Sequence, residues 1–398
     1  MSMLSLEEAQ KRLLDGVEPL GSETLPVEAA LGRYLAEPLV ARRTQPAADL
    51  SAMDGYAMRD GDLAGPWRVV GESRAGHPYE GPLAAGEAVR ISTGALMPAD
   101  AGAVLLQENA VRADETLSLN GEGDPTPRHI RRRGFDFTDG DTLLAKGRHV
   151  GPAQIGLAIA SGNASLAVGR LPRVAILDSG DELAADPAEC PTHRIPASNG
   201  AMLSAMCARH AASVTRIGPV ADDLDALIAG FEGTGDAEVV VTSGGASVGD
   251  HDLVRPALEA WGAEIDFWRV AMRPGKPLLV ARKGARWIVG LPGNPASACV
   301  TAFLFVLPLL RALSGSDSPL PRALSLPLAG ELPKGGPRTE FRRACIVDGA
   351  VESLDERDSS AQRSLALANA LIERPVACPA SGSGEPVRTY WLGNGGNA

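Results

Sequence analysis

From Pro172 to Gly315 short apolar runs alternate with helix-patterned stretches, and this alternation constrains the fold more than any other feature of the chain. The runs Arg173–Leu177, Glu238–Val241, Pro277–Val280 and Trp287–Val289 are rich in Val, Ile and Leu, as strands buried on both faces are. Between them Asn199–Ala212, Asp222–Phe231, Asp252–Trp261 and Pro295–Leu313 read as helices. The expectation is an α/β domain: a parallel sheet covered by helices on both faces.

The flanks have other rhythms. Ser5-Leu6-Glu7-Glu8 is a capping box opening an amphipathic helix through Val17, with Leu6, Ala9, Leu13 and Leu14 on one face. From Arg42 to Asp136, runs such as Trp67–Val70, Ala88–Ile91 and Ala103–Leu106 alternate with Gly and Pro turns, a β-rich pattern. A helical stretch, Pro152–Ser161, follows, so the β module reads as an insertion between two halves of one helical region. After Pro319 short strands return (Ala323–Leu328, Thr339–Val347, Val387–Leu392). The expected division is residues 1–40 with 137–171 (helical region), 41–136 (inserted β-rich domain), 172–316 (α/β domain) and 317–398 (small β domain).

In an open parallel sheet, ligands bind at the loops leaving the carboxyl ends of the strands. Four unusual loops belong there: Asp178–Glu182, Thr242–Asp252, Met272–Pro277 and Gly290–Pro295. The second has the makings of an anion cradle, with glycines that let backbone N–H groups approach a phosphate and the hydroxyls of Ser243 and Ser247. The third supplies Arg273 and Lys276 on a Pro-stiffened turn. Asp181, Glu182, Asp250 and Asp252 cannot bind an anion themselves. With a phosphate they suggest Mg²⁺, which takes one or two carboxylates plus phosphate oxygens and waters. Asp252 has a second reading, as the cap of the helix it opens.

Composition removes other classes. The net charge of −11 and 4% aromatic content argue against a nucleic-acid scaffold. Five cysteines without a C-x-x-C pair, and six scattered histidines, argue against a disulfide framework or a zinc site and fit a reducing cytoplasm. Glu7 and Glu8 make the start unlike a signal peptide. Within Ile288–Leu310 only about fifteen apolar residues run together, short of the roughly 20 that span a bilayer, so a buried core helix is expected. Gly245–Gly249 matches G-x-S-x-G, but the only later histidine is His251, four residues beyond Ser247, too near for a hydrolase triad. No P-loop is present, and no G-x-G-x-x-G follows a strand, which leaves a nicotinamide or nucleotide-sugar enzyme weak.

Seven segments in order carry a resemblance: SAMDGYA (51–57), ISTGALMP (91–98), RRRGFD (131–136), DSGDEL (178–183), SGGASVGDHD (243–252), MRPGKP (272–277) and GLPGNP (290–295). The series resembles that of the MoeA family, molybdopterin molybdenumtransferases similar also to the C-terminal domain of gephyrin. The resemblance implies an elongated homodimer with an L-shaped helical region carrying an inserted β domain, a molybdopterin-binding doubly wound α/β domain, and a C-terminal β barrel. It implies a cytoplasmic enzyme of molybdenum cofactor synthesis that joins molybdate to adenylylated molybdopterin, releasing AMP with the help of Mg²⁺. The substrate's dithiolene sulfurs are the soft ligands molybdenum needs, so no cysteine cluster is required of the chain.

The same resemblance implies that Asp54, Thr93 and Asp136 of the inserted domain reach the catalytic cleft across the dimer. Glu182, Asp222, Arg273 and Lys276 complete the catalytic set, the last two holding oxyanions. Asp181, Glu182 and Asp252 are the metal ligands. Ser243, Gly244, Gly245, Ser247, Asp250, Pro292 and Asn294 bind the pterin, with Arg343 of Phe341-Arg342-Arg343 added as the family's F-x-R arginine. Molybdopterin adenylyltransferase and proteins that mature molybdoenzymes are the implied partners, with neither nucleic acid nor membrane. The chain departs from the family at Asp178-Ser179 (usually Ser-Thr), Ala197 (usually Asp) and Ala344 (usually Gly). The alternative reading is a non-catalytic molybdopterin-binding or scaffold protein of the same fold.

Overall fold

The computed structural model describes residues 3–244 and 253–393. Gly245, Ser247, Asp250 and Asp252 of the expected site lie outside the described residues.

The alternating segment forms a six-stranded sheet from β1 (Arg173–Ser179), β2 (Ser213–Val220), β3 (Val239–Ser243), β4 (Glu264–Trp268), β5 (Leu279–Lys283) and β6 (Arg286–Leu291), in spatial order β2-β1-β3-β6-β5-β4. Strand alternation splits its side chains between two cores. Val174, Ile176, Val239, Val241, Val280 and Val289 face one core, and Ala175, Leu177, Val240, Leu279 and Ile288 face the other. Helix α1 (Leu6–Asp15), α3 (Asn199–Cys207) and α6 (Pro295–Leu313) cover the first face; α4 (Leu224–Glu232) and α5 (Val254–Ala260) cover the second. The sheet is doubly wound, but it is not wholly parallel. β5 runs antiparallel to both β6 and β4. Only Gly284-Ala285 separates β5 from β6, far fewer residues than a parallel crossover needs, and Gly284 takes the turn at φ +59°. The Met272–Pro277 loop therefore enters the amino end of β5, which lies at the same edge as the carboxyl ends of β1, β3 and β6.

The capping box is present as read: Ser5 Oγ accepts from Glu8 N, and Glu8 returns the bond to Ser5 N at 2.9 Å. The partner of α1 is a finding of the structure. Leu6, Ala9 and Leu13 pack into the α/β core beside Trp287 and Phe303, and Gln10 donates to the Leu304 carbonyl. α6 is apolar enough to cross a membrane by composition, but 89% of its most apolar window is buried inside the protein, as a core helix requires.

The region read as helical contains α2 (Pro152–Ala160), and its frame is two antiparallel strand pairs, Ser22–Pro26 with Ser165–Gly169 and Leu39–Val40 with Thr142–Leu144. Between its halves, six strands (Ala101–Leu106, Gly55–Arg59, Glu87–Ile91, Trp67–Ser73, Thr116–Leu119 and Ala110–Ala113, in spatial order) form the inserted sheet over Trp67, Met58 and Leu105. At the C-terminal end, β7 (Leu324–Ala329), β8 (Thr339–Val347), β9 (Ala350–Ser353), β10 (Ala370–Arg374) and β11 (Pro386–Trp391) close into a five-stranded barrel by the pairing of β8 with β10. The barrel is stitched to the α/β domain. Met272–Arg273 pairs with Thr339–Glu340 of β8, and Phe341 and Tyr390 pack into the core beside Phe303.

Candidate active site

The loop after β1 is braced by its neighbours. Gly180 N donates to the Val220 carbonyl, and Asp181 accepts the backbone N–H of Asp222 at 3.2 Å, so the loops after β1 and β2 bring these two acids together. Asp181, Glu182 and Asp222 are all exposed. Asp178, by contrast, is buried; its pairing with Arg216 at 3.4 Å does not overcome the burial that raises its carboxyl above the usual range. Ser243 is in register with Asp178 at the end of β3. Gly244 follows at φ +101°, where an added Cβ would lie 2.4 Å from the Ser179 carbonyl oxygen, so only glycine fits this approach. Gly293 of the fourth loop lies against it, and Pro292 is buried beneath.

Arg273 and Lys276 line a cavity of about 380 Å³ whose opposite wall is the barrel. Arg338, Arg342, Arg343 and Arg357 face them there, with Glu340, Glu356 and Asp358 as the acids of the lining. Arg342 is almost fully buried, and its Nε lacks a partner although Glu340 lies 3.4 Å away. Burial lowers the pKa of both Arg342 and Arg343. Arg343 commits three of its five N–H donors to the carbonyls of Glu356, Asp358 and Ala361 at 2.7–2.9 Å, holding the loop that walls the cavity. Asn294 acts on that same loop by donating to Ser359 Oγ at 3.0 Å. Sequence reasoning missed Arg338 and Arg357, which carry no motif, and passed over Arg342, the variable middle residue of Phe341-Arg342-Arg343; all three come to the cavity through the pairing of β8 with Met272–Arg273.

In the inserted domain, Asp54 and Thr93 meet. The Thr93 N–H donates to Asp54 at 2.7 Å and holds its carboxyl below the usual range. Asp136 is exposed on a separate turn, its N–H bound to the Gln45 carbonyl, while Arg132 of the same motif pairs with Asp49 at 2.6 Å. The structure thus gathers the site residues into three groups: Asp54 with Thr93, the acids after β1, and the cations of the cavity.

Three stretches of the chain match known family descriptions: "MoeA N-terminal region (domain I and II)" over residues 4–162, "Probable molybdopterin binding domain" over 175–312, and "MoeA C-terminal region (domain IV)" over 325–392. The chain is 33% identical over 347 residues to the molybdopterin molybdenumtransferase of Haemophilus influenzae, covering 86% of this chain and 85% of that protein. It is 34% identical over 389 residues to molybdopterin molybdenumtransferase 2 of Mycobacterium tuberculosis, covering 94% and 96%. Among solved structures, a molybdopterin biosynthesis MoeA protein from Pyrococcus horikoshii superposes with a TM-score of 0.77 at 28% identity, over 98% of this chain and 99% of that one.

Proposed function

Since the chain belongs to the MoeA family of molybdopterin molybdenumtransferases, a family of molybdenum cofactor biosynthesis, we propose that it inserts molybdate into adenylylated molybdopterin with release of AMP. The observation that carries this reading is the cationic cavity between the Arg273–Lys276 turn and the barrel. An oxyanion drawn from water must recover its hydration from fixed donors, and charge-assisted contacts are the strong ones. Arg342 supports this, because its buried guanidinium is only loosely paired with Glu340, at 3.4 Å from Nε and 3.5 Å from the terminal nitrogen, and its Nε makes no hydrogen bond. At the strand ends Gly244, at φ +101°, lets the backbone turn closely, the kind of glycine turn that exposes N–H groups to a phosphate.

The donor set also suits Mg²⁺. Among the described residues no three His, Cys, Asp or Glu side chains form a metal cage. Mg²⁺ does not ask for one, since one or two carboxylates with substrate phosphates suffice. Asp181 and Glu182 are adjacent, exposed and outside every ion pair of the described residues, so they would hold it. When bound, Mg²⁺ would neutralise charge on the phosphoanhydride. Incubation with adenylylated molybdopterin, molybdate and Mg²⁺ tests the reading directly: AMP should be released in step with molybdenum incorporation. A Glu182→Gln variant should release it about tenfold more slowly, with part of the rate recovered at raised Mg²⁺. Binding without AMP release would instead make the protein a scaffold.

The same reading includes a homodimer in the cytoplasm. Met53 and Leu96, beside Asp54 and Thr93 in sequence, are exposed, and so on its separate turn is Phe135, at 76%, a large apolar surface to leave in water. The five free cysteines suit a reducing compartment. Light scattering should give the mass of two chains, and Phe135→Glu should shift it toward one; a wild-type mass of one chain would remove the dimer.

A further inference from the structure

At the carboxyl ends of β1 and β3 some buried polar atoms find no partner. Asn199, the first residue of α3, gives both amide hydrogens away, one to Ser243 Oγ at 2.9 Å and one to the Gly293 carbonyl at 2.7 Å. A carbonyl can only accept, so the Gly293 bond settles which end of the carboxamide is nitrogen. Asn199 Oδ1 is left buried with no donor among the described residues. Ser179 Oγ, in a residue only 3% exposed, is in the same condition beside Gly244. Thr242 Oγ1, near the end of β3, is a third such atom. Buried acceptors are ordinarily satisfied, and three exceptions at one strand edge point to something that arrives from outside.

The carboxamide is aimed by a second device. The next residue, Gly200, lies directly against Asp178: a Cβ on Gly200 would meet Asp178 Oδ2 at 2.0 Å. Asp178 is itself 3% exposed. Arg216 reaches both its Oδ2 at 3.4 Å and the Ala197 carbonyl at 3.5 Å, so the pair grips the first turn of α3 from two sides. A buried carboxylate left unpaired is costly, which makes the grip directional.

We infer that Asn199 contacts the substrate, its Oδ1 accepting a hydrogen bond from a ring N–H or amino group of the pterin, and that the Asp178–Arg216 pair positions it. The inference rests on the molybdopterin reading given above. The competing role for Asn199 is purely structural, as a tie between the loops after β3 and β6.

Fluorescence titration of the full chain with metal-free molybdopterin separates these roles. Asn199→Ala should weaken binding about tenfold, the effect of removing one buried acceptor from a ligand donor. A set of simple pterins, each methylated at one N–H or at the amino group, should include one whose methyl costs about tenfold on the wild type and nothing on Asn199→Ala. In Asp178→Ser that methylation penalty should fall toward the Asn199→Ala value, because the carboxamide is no longer aimed; a merely structural pair would leave it unchanged. If molybdopterin fails to bind the wild type, the functional reading fails and this inference falls with it. If it binds wild type and Asn199→Ala equally, the inference alone is overturned. Should Asn199→Ala not fold, the wild-type series decides, and a set with no methylation costing more than about threefold overturns the contact.

Discussion

The Arg273→Ala/Lys276→Ala double variant is expected to release AMP at least about 100-fold more slowly at fixed molybdate, since charge-assisted contacts are worth roughly 1.5–3 kcal/mol each. Stability should change by no more than about 0.5 kcal/mol, because both side chains are exposed and the ladder from Met272–Arg273 to β8 is made by backbone groups that alanine retains. Part of the rate should return as molybdate is raised, marking the loss as one of oxyanion capture. A double variant with the wild-type dependence on molybdate would remove this turn from the mechanism. It would also leave the arginines across the cavity without a task.

Phe305→Ala should destabilise the α/β domain by about 3–5 kcal/mol, the range for truncating a fully buried aromatic residue. Phe305 is 0% exposed, in the middle of α6, where a π-helical turn spans Ala302–Val306. The loss should reach the start of the chain, because α1 packs on α6 through Leu13 and the bond from Gln10 to Leu304. Hydrogen exchange in α1 should therefore rise together with exchange in the sheet. An unchanged denaturation midpoint, or α1 exchanging independently, would contradict this packing.

The two-faced sheet was legible because strands buried on both sides must be apolar throughout, and helices alternate with them. Strand direction was not, since apolar periodicity is the same whichever way a strand runs. The two-residue link at Gly284-Ala285 held that information, as no crossover fits in it. Helix α1 showed its apolar face in sequence but not which core would receive it. In the site, the Arg-Pro-Gly-Lys turn announced itself by composition, whereas Arg338, Arg342 and Arg357 are ordinary barrel residues until β8 pairs with that turn. Asp54 and Thr93, 39 positions apart, were associated only through the family resemblance, and the structure joins them by one hydrogen bond. Asn199 was legible only as the first residue of a helix, which says nothing of the two loops its carboxamide ties.

The ladder between Met272–Arg273 and Thr339–Glu340 gives the barrel a role beyond that of an appended module. One strand, β8, both grips the cationic turn and carries Arg342 and Arg343 into the opposite wall, so the spacing of the anion bowl is set by a seam between two independently coded segments. Drift in residues 272–277 must be answered by drift in residues 338–358, and grafting a relative's barrel onto this chain would transplant half a binding site. If the proposed oxyanion role holds, the two segments should be interchangeable between relatives only as a matched set, the seam and not either domain being what is exchanged.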